Sequence, residues 1–282
     1  MADAGFPVDA DGRLSVHPRL SINLLSLAPA PFAQQVETVT RIGAQALTPD
    51  VGQLDGLTAT QATRVMHDAG LRAAALTHRA FSFSDATETK AAQDRLARSI
   101  DYANKIGAPV IVLTTGGRGK LSWSEAAKRF AEAMDPGAAL AQAAGISLGI
   151  EPTSHLYADA SLVHRLSDCT ALARASGIAV TVDLFACWAD SDIETALVEA
   201  APLTALTQIS DYVYGDRGLP CRAVPGDGAI PLDRLLPALV QSGFTGGFDL
   251  EIIGPRLQAE GEEVGLYRAA AAVGAILDKA NG

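Results

Sequence analysis

Four polar side chains stand directly after apolar runs in the second half of the chain. They are Glu151 in GIEPTSH, Asp183 in TVDLF, Gln208 in TQISD and Glu251 in DLEII. Any one of them alone reads as well as a helix cap or a loop hydrogen bond. Together they place three carboxylates and one amide at corresponding points of successive units. Three anions converging on one place repel each other strongly unless a cation lies between them. An all-oxygen donor set suits a hard divalent ion, Mg²⁺ or Mn²⁺, better than a softer one.

The elements that must bring these residues together are legible as a repeating pattern. Apolar runs at 20–27, 46–48, 71–77, 110–115, 146–150, 178–182, 203–207 and 247–250 predict eight strands, each followed by a stretch with helical spacing. Strand–helix alternation of this kind means a parallel sheet with helical crossovers. Eight units fit a closed α/β barrel, a single (β/α)8 TIM barrel, whose active site forms at the carboxyl ends of the strands. An open dinucleotide-binding sheet is disfavoured, because no GxGxxG follows the first strand. No composition break divides the chain, so the expected organisation is a leader over 1–19 and one barrel over 20–282.

Composition narrows the function classes. The chain of 282 residues carries a net charge of −10, which repels phosphate backbones and anionic lipid; neither nucleic acid nor membrane is an expected partner. The start has no basic and apolar export signal, and no apolar run spans a bilayer, so a cytoplasmic protein is expected. Three scattered cysteines make neither a disulfide scaffold nor a CxxC site, and five histidines leave any metal site resting on oxygen. The 114–120 stretch TTGGRGK fails as a phosphate-binding P-loop because Leu121 stands where Ser or Thr is needed. It reads instead as a flexible loop over the site, with Arg118 and Lys120 as candidate anion contacts.

These motifs resemble the sugar phosphate isomerase/epimerase superfamily with the xylose isomerase-like barrel, from residue 20 onward. The match lies in IEP at Glu151, VD at Asp183, the SD that ends at Asp211, VPGDG at 224–228 and GGFDLE running into Glu251. The resemblance implies one divalent metal, Mn²⁺ or Mg²⁺, held by Glu151, Asp183, Gln208 and Glu251. It also implies that Glu151 and Glu251 carry protons between adjacent carbons of a polyhydroxylated small molecule: a sugar, sugar acid or cyclitol. Barrels of this kind often dimerise, so a homodimer is an expected assembly. Three departures loosen the substrate assignment. Gln208 replaces the family's usual His, as in the 3-dehydroshikimate dehydratases; Ala186 stands where a substrate-contacting His is common; and the arginine ahead of the PGxG turn is matched by Arg222. The enediolate formed by proton removal serves isomerase and epimerase alike, and an enolate with a leaving hydroxyl expels water, so a dehydratase is the alternative. Zinc repair endonucleases share the barrel, but five histidines and the acidic charge argue against that class.

Lesser candidates complete the expected site. His78 and His155 would face the mouth as proton shuttles or hydrogen-bond donors, against the plainer reading of loop histidines held by carbonyls. Arg222 and Arg217 would clamp a carboxylate, phosphate or hydroxyl, and Trp188 would wall one sugar face. Cys187 lies beside the site without a general base and reads as a packing residue.

Overall fold

The computed structural model describes residues 16–280 except residue 79. Residues 1–15 of the expected leader, and 281–282 at the end of the expected barrel, lie outside the described residues. The first half runs β1 (Leu20–Asn23), α1 (Phe32–Ile42), β2 (Ala46–Thr48), α2 (Ala59–Asp68), β3 (Arg72–Ala73), β4 (Leu76–Thr77), α3 (Ala86–Ile106), β5 (Val110–Leu113) and α4 (Trp123–Ala143). The second half runs β6 (Ser147–Ile150), α5 (Leu166–Ala175), β7 (Ala179–Asp183), α6 (Leu184–Cys187), α7 (Ile193–Ala200), β8 (Thr204–Ile209), β9 (Asp211–Tyr212) and β10 (Arg222–Ala223). It ends with α8 (Leu232–Gln241), β11 (Gly247–Leu250), α9 (Pro255–Glu260) and α10 (Glu262–Ala280).

The main sheet is parallel, in the order β3-β2-β1-β11-β8-β7-β6-β5-β4. Its two end strands are consecutive pieces of one extended segment, interrupted at residues 74–75. The ring therefore closes on itself, and a parallel bridge between Asp50 and Thr77 ties β4 back to the segment after β2. Counted this way the nine strands occupy eight positions, and the architecture is the expected (β/α)8 barrel. The expected third strand over 71–77 is the one that breaks in two.

Local chemistry accounts for the helices. Phe32, Val36, Val39 and Ile42 are buried at helical spacing on α1. Capping boxes open α2 (Thr58 with Gln61) and α4 (Ser122 with Glu125), satisfying N–H groups that have no partner within the helix. Among the described residues no helix is long and apolar enough to cross a membrane.

Apolar packing is split between two shells. The large core lies between strands and helices, while a small cluster of Ala75, Val110, Val112 and Leu206 fills part of the barrel interior. The rest of that interior is polar. Asp249 is fully buried there and accepts hydrogen bonds from Ser21 (2.5 Å), Asn23 (2.9 Å) and Thr48 (2.8 Å). Residues 16–19 pack on the floor of the barrel. Val16 is buried, and Arg19 donates to the Phe244 and Gly246 carbonyls at 2.9 Å each while lying over the Phe248 ring.

The 114–120 loop is pinned, against the expectation of a flexible cover. Gly116 N–H donates to the Ala160 carbonyl (2.9 Å) and Gly117 N–H to that of Asp159 (3.1 Å). A Cβ on Gly117 would lie 2.5 Å from the Asp159 oxygen, so the two backbones approach closely only with glycine there. Arg118 donates to the Leu121 carbonyl within its own loop.

A second anchor lies after β8. The buried Asp211 carboxylate accepts the N–H groups of Tyr212 (2.8 Å), Gly226 (3.0 Å), Gly228 (2.9 Å) and Ile230 (3.0 Å). This gathers the VPGDG turn against the β9–β10 hairpin, which carries Arg222. Asp211→Ala leaves four backbone donors without this acceptor, that of Ile230 buried, and is expected to lower stability by about 1–3 kcal/mol. Urea unfolding measures it, and a midpoint unchanged from the parent's would contradict the anchoring role.

Candidate active site

The four residues singled out in the sequence end four consecutive strand positions of the ring: β6, β7, β8 and β11. Strand register explains the convergence. Asp183 pairs with Gln208, and Gln208 with Asp249, so those three share one level of the barrel. Glu251 follows Asp249 by two residues and takes the same inward face one step higher, by strand alternation.

Arg222 stands among the carboxylates. Its guanidinium makes a bidentate pair with Asp183, at 3.0 Å from Nη1 to Oδ1 and 2.7 Å from Nη2 to Oδ2. Nη2 also lies 3.2 Å from Glu251 Oε2, as an ion pair. The Phe185 ring packs beneath it with the guanidinium carbon 4.7 Å from the ring centroid, and Ser210 Oγ lies 3.4 Å from Nη1. Burial by itself would lower the proton affinity of Arg222. The facing charges of Asp183 and Glu251 more than offset that and keep the group charged.

The glutamates respond to the same crowding. Burial pushes the Glu151 carboxyl well above its ordinary value. Glu251 and Asp183 add to the rise, while Arg222 and a hydrogen bond from Gln208 oppose it. Burial likewise raises Glu251, to about 7, with Arg222 opposing and Asp183 and Asp249 adding. A divalent ion at this point would lower both.

Among the described residues, no group of three or more His, Cys, Asp or Glu side chains is arranged to hold a metal ion. The third ligand expected here is an amide, and Arg222 holds both oxygens of Asp183. The donors nonetheless fit a divalent ion in their chemistry. Glu151 Oε2 and Gln208 Oε1 are buried oxygens without a hydrogen-bond partner, and such atoms are costly unless something satisfies them; Glu251 Oε2 has only its ion pair with Arg222.

A cavity of about 240 Å³ opens over Glu151, Asp183 and Arg222, with Phe185, Leu219 and Ile253 in its wall; Gln208 and Glu251 are not part of its lining. Arg217, Trp188 and His155 lie further out, lining an adjoining groove rather than the carboxylate cavity. His78 is a correction. The expectation that it faces the mouth is not met, because its Nδ1 lies 2.9 Å from Ser99 Oγ on α3. It lines a separate cavity of about 360 Å³ with Leu54, Arg95, Arg98 and Tyr102. The break in the third strand between β3 and β4 resets the inward–outward alternation that the sequence pattern assumed. Cys187 packs as expected, its buried thiol donating to the Asp183 carbonyl at 3.1 Å.

Phe185, Ser210 and Asp249 were not foreseen. Asp249 was within reach, since period-two alternation puts it on the face of Glu251. Phe185 and Ser210 acquire their place only through Arg222, a contact across the fold.

The chain belongs to the xylose isomerase-like TIM barrel family, whose model matches residues 36–273. No curated protein matches its sequence. Among solved structures it is similar to protein SMc04130 from Sinorhizobium meliloti 1021, at 26% identity and a TM-score of 0.81, covering 90% of this chain and 96% of that one. It is also similar to the IOLI protein with a bound zinc atom, at 17% identity and a TM-score of 0.79, covering 92% and 98%. A third is D-psicose 3-epimerase from Clostridium cellulolyticum H10, at 18% identity and a TM-score of 0.73, covering 93% and 98%.

Replacing the cation that faces three carboxylates leaves buried charge uncompensated. Arg222→Met is expected to destabilise the metal-free protein by about 3–5 kcal/mol. Added Mn²⁺ should then raise the melting temperature more in the variant than in the parent. Equal shifts in the two proteins would refute the counter-ion role of Arg222.

Proposed function

We propose that this protein is a divalent-metal-dependent isomerase or epimerase of a sugar, sugar acid or cyclitol. The observation that carries the reading is the convergence of Glu151, Asp183, Gln208 and Glu251 at one barrel mouth, with buried oxygens of Glu151 and Gln208 left without a partner. Similarity in fold to D-psicose 3-epimerase supports it, and similarity to a barrel with a bound zinc atom supports the metal. Glu151, Asp183, Gln208 and Glu251 would hold the ion, with Mn²⁺ or Mg²⁺ favoured by the oxygen donors.

When bound, such an ion supplies Lewis-acid stabilisation of the negative charge that develops on a substrate oxygen. The chain's own residues do the rest. One of Glu151 and Glu251 removes the proton from the carbon next to the carbonyl, and the other returns a proton to the neighbouring carbon or the opposite face. Arg222, already charged and facing both Asp183 and Glu251, would orient a substrate hydroxyl or carboxylate. Leu219, Pro220 and Ile253 line the cavity and exclude water from the reacting carbons.

Calorimetry is expected to find one tight Mn²⁺ site per chain, and Glu151→Gln should weaken it by roughly tenfold or more. Solvent deuterium should enter the carbon beside the carbonyl in at least one of a panel of keto sugars. A protein that binds no divalent ion, or binds it equally well as Glu151→Gln, would refute the reading.

Gln208 in the third ligand position favours a second reading, a dehydratase of the 3-dehydroshikimate type, in which the same enolate expels a β-hydroxyl. With 3-dehydroshikimate and Mn²⁺ or Mg²⁺, this reading expects the ultraviolet band of an aromatic product. Its absence with both ions removes that lyase.

A further inference from the structure

The cavity over the carboxylates does not end there. It shares Ser154, Phe185, Ala186, Leu219 and Cys221 with a second, wider groove of about 690 Å³. At about 240 Å³ the inner cavity falls short of the ~300–1,000 Å³ usual for ligand pockets, and takes one small polyol unit. The groove beyond it provides room for a second unit of at least that size. Ala186, a small side chain, is among the residues that line both spaces.

One wall of the groove is aromatic and held in place. Trp188 and Tyr212 stand with ring centroids 6.3 Å apart and planes 35° apart. Phe185 meets Tyr212 edge-on at 6.1 Å. Tyr212 Oη donates to the Asp216 carbonyl at 2.8 Å, which fixes that ring, and the Asp216 carboxylate is itself engaged by Arg256. Phe185 also lies under Arg222, so the aromatic wall runs continuously from the carboxylate cluster into the groove. His155 and Arg217 border the same groove as polar groups. A wall of flat rings with polar groups at its rim fits the apolar face and outward hydroxyls of a sugar ring.

Resting on the isomerase or epimerase reading above, we propose that the substrate is a two-ring molecule, a glycoside or disaccharide. Its reacting unit occupies the carboxylate cavity and its second ring lies against Trp188 and Tyr212. The shared chemistry of the second unit is a ring with a flat apolar face, and a pyranose uses the polar rim as well.

Three probes test this by calorimetry on the Mn²⁺-loaded protein: methyl β-D-glucoside with one ring, cellobiose with two sugar rings, and phenyl β-D-glucoside with an aromatic second ring. Cellobiose should bind roughly tenfold tighter than the methyl glucoside, the effect of one good ring contact. Trp188→Ala and Ala186→Phe should each abolish that advantage, and Trp188→Phe should restore most of it. Circular dichroism and melting curves show whether each variant is folded. Phenyl glucoside matching cellobiose means that the ring face alone is read, and cellobiose exceeding it means that the rim is read as well. Cellobiose binding no tighter than the methyl glucoside overturns the proposal, as does an advantage that survives in folded Trp188→Ala and Ala186→Phe. Failure of the reading beneath it shows separately, as absent Mn²⁺ binding or absent deuterium exchange.

Discussion

Three carboxylates share one end of a narrow barrel, and the structure is organised around making that tolerable. Glu151, Asp183 and Glu251 are removed from most of the water that would screen them, so Asp183 raises the cost of ionising both glutamates, and Glu251 that of Glu151. Arg222 is the positive charge placed among them, in bidentate contact with Asp183 and ion-paired with Glu251. A bidentate guanidinium imposes direction as well as charge, so the Asp183 carboxylate is fixed in plane and position. The same contact sets the question of how a metal ion would share the site, since the ion and Arg222 draw on the same oxygens.

Arg222 reaches that position because of a loop anchored elsewhere. The Asp211 carboxylate collects the backbone N–H groups of the VPGDG turn, and the β9–β10 hairpin follows from that fixed turn. The SD and VPGDG motifs, far apart in the chain, are thus two halves of one clamp. Beneath the site the polar filling of the barrel continues the theme. Asp249 with Ser21, Asn23 and Thr48 forms a hydrogen-bonded floor under Glu251. The hydroxyl and amide partners satisfy Asp249, whose charge adds to the rise of the Glu251 carboxyl above it.

The eightfold alternation was legible because each unit carries its own periodicity, its own cap and its own end. So was the candidate ligand set, since a polar residue at the end of a buried run stands out against its neighbours. The third strand was not, because its alanines satisfy the apolar pattern equally well whether the strand continues or breaks. That break decided where His78 went, and the histidine turned to Ser99 on α3 instead of the mouth. The 114–120 loop was misread for a related reason. Glycines signal freedom in a sequence, but Gly117 is present so that the 158–160 backbone may come close, a contact with a distant segment.

What the sequence by itself determined is the eightfold strand–helix alternation and the polar residue that follows each of the four late strands, because these follow from local patterns of apolar and polar side chains. With that came the donor types available at the mouth: three carboxylates, one amide and no histidine among the four. The tertiary structure alone decided that Arg222 occupies the space between Asp183 and Glu251. It alone decided that Phe185, Trp188 and Tyr212 form one wall, and that Ala186 lines both the inner cavity and the groove. Those relations join residues brought together by ring closure and by the Asp211 clamp, and no local pattern in the chain encodes a distance across the barrel.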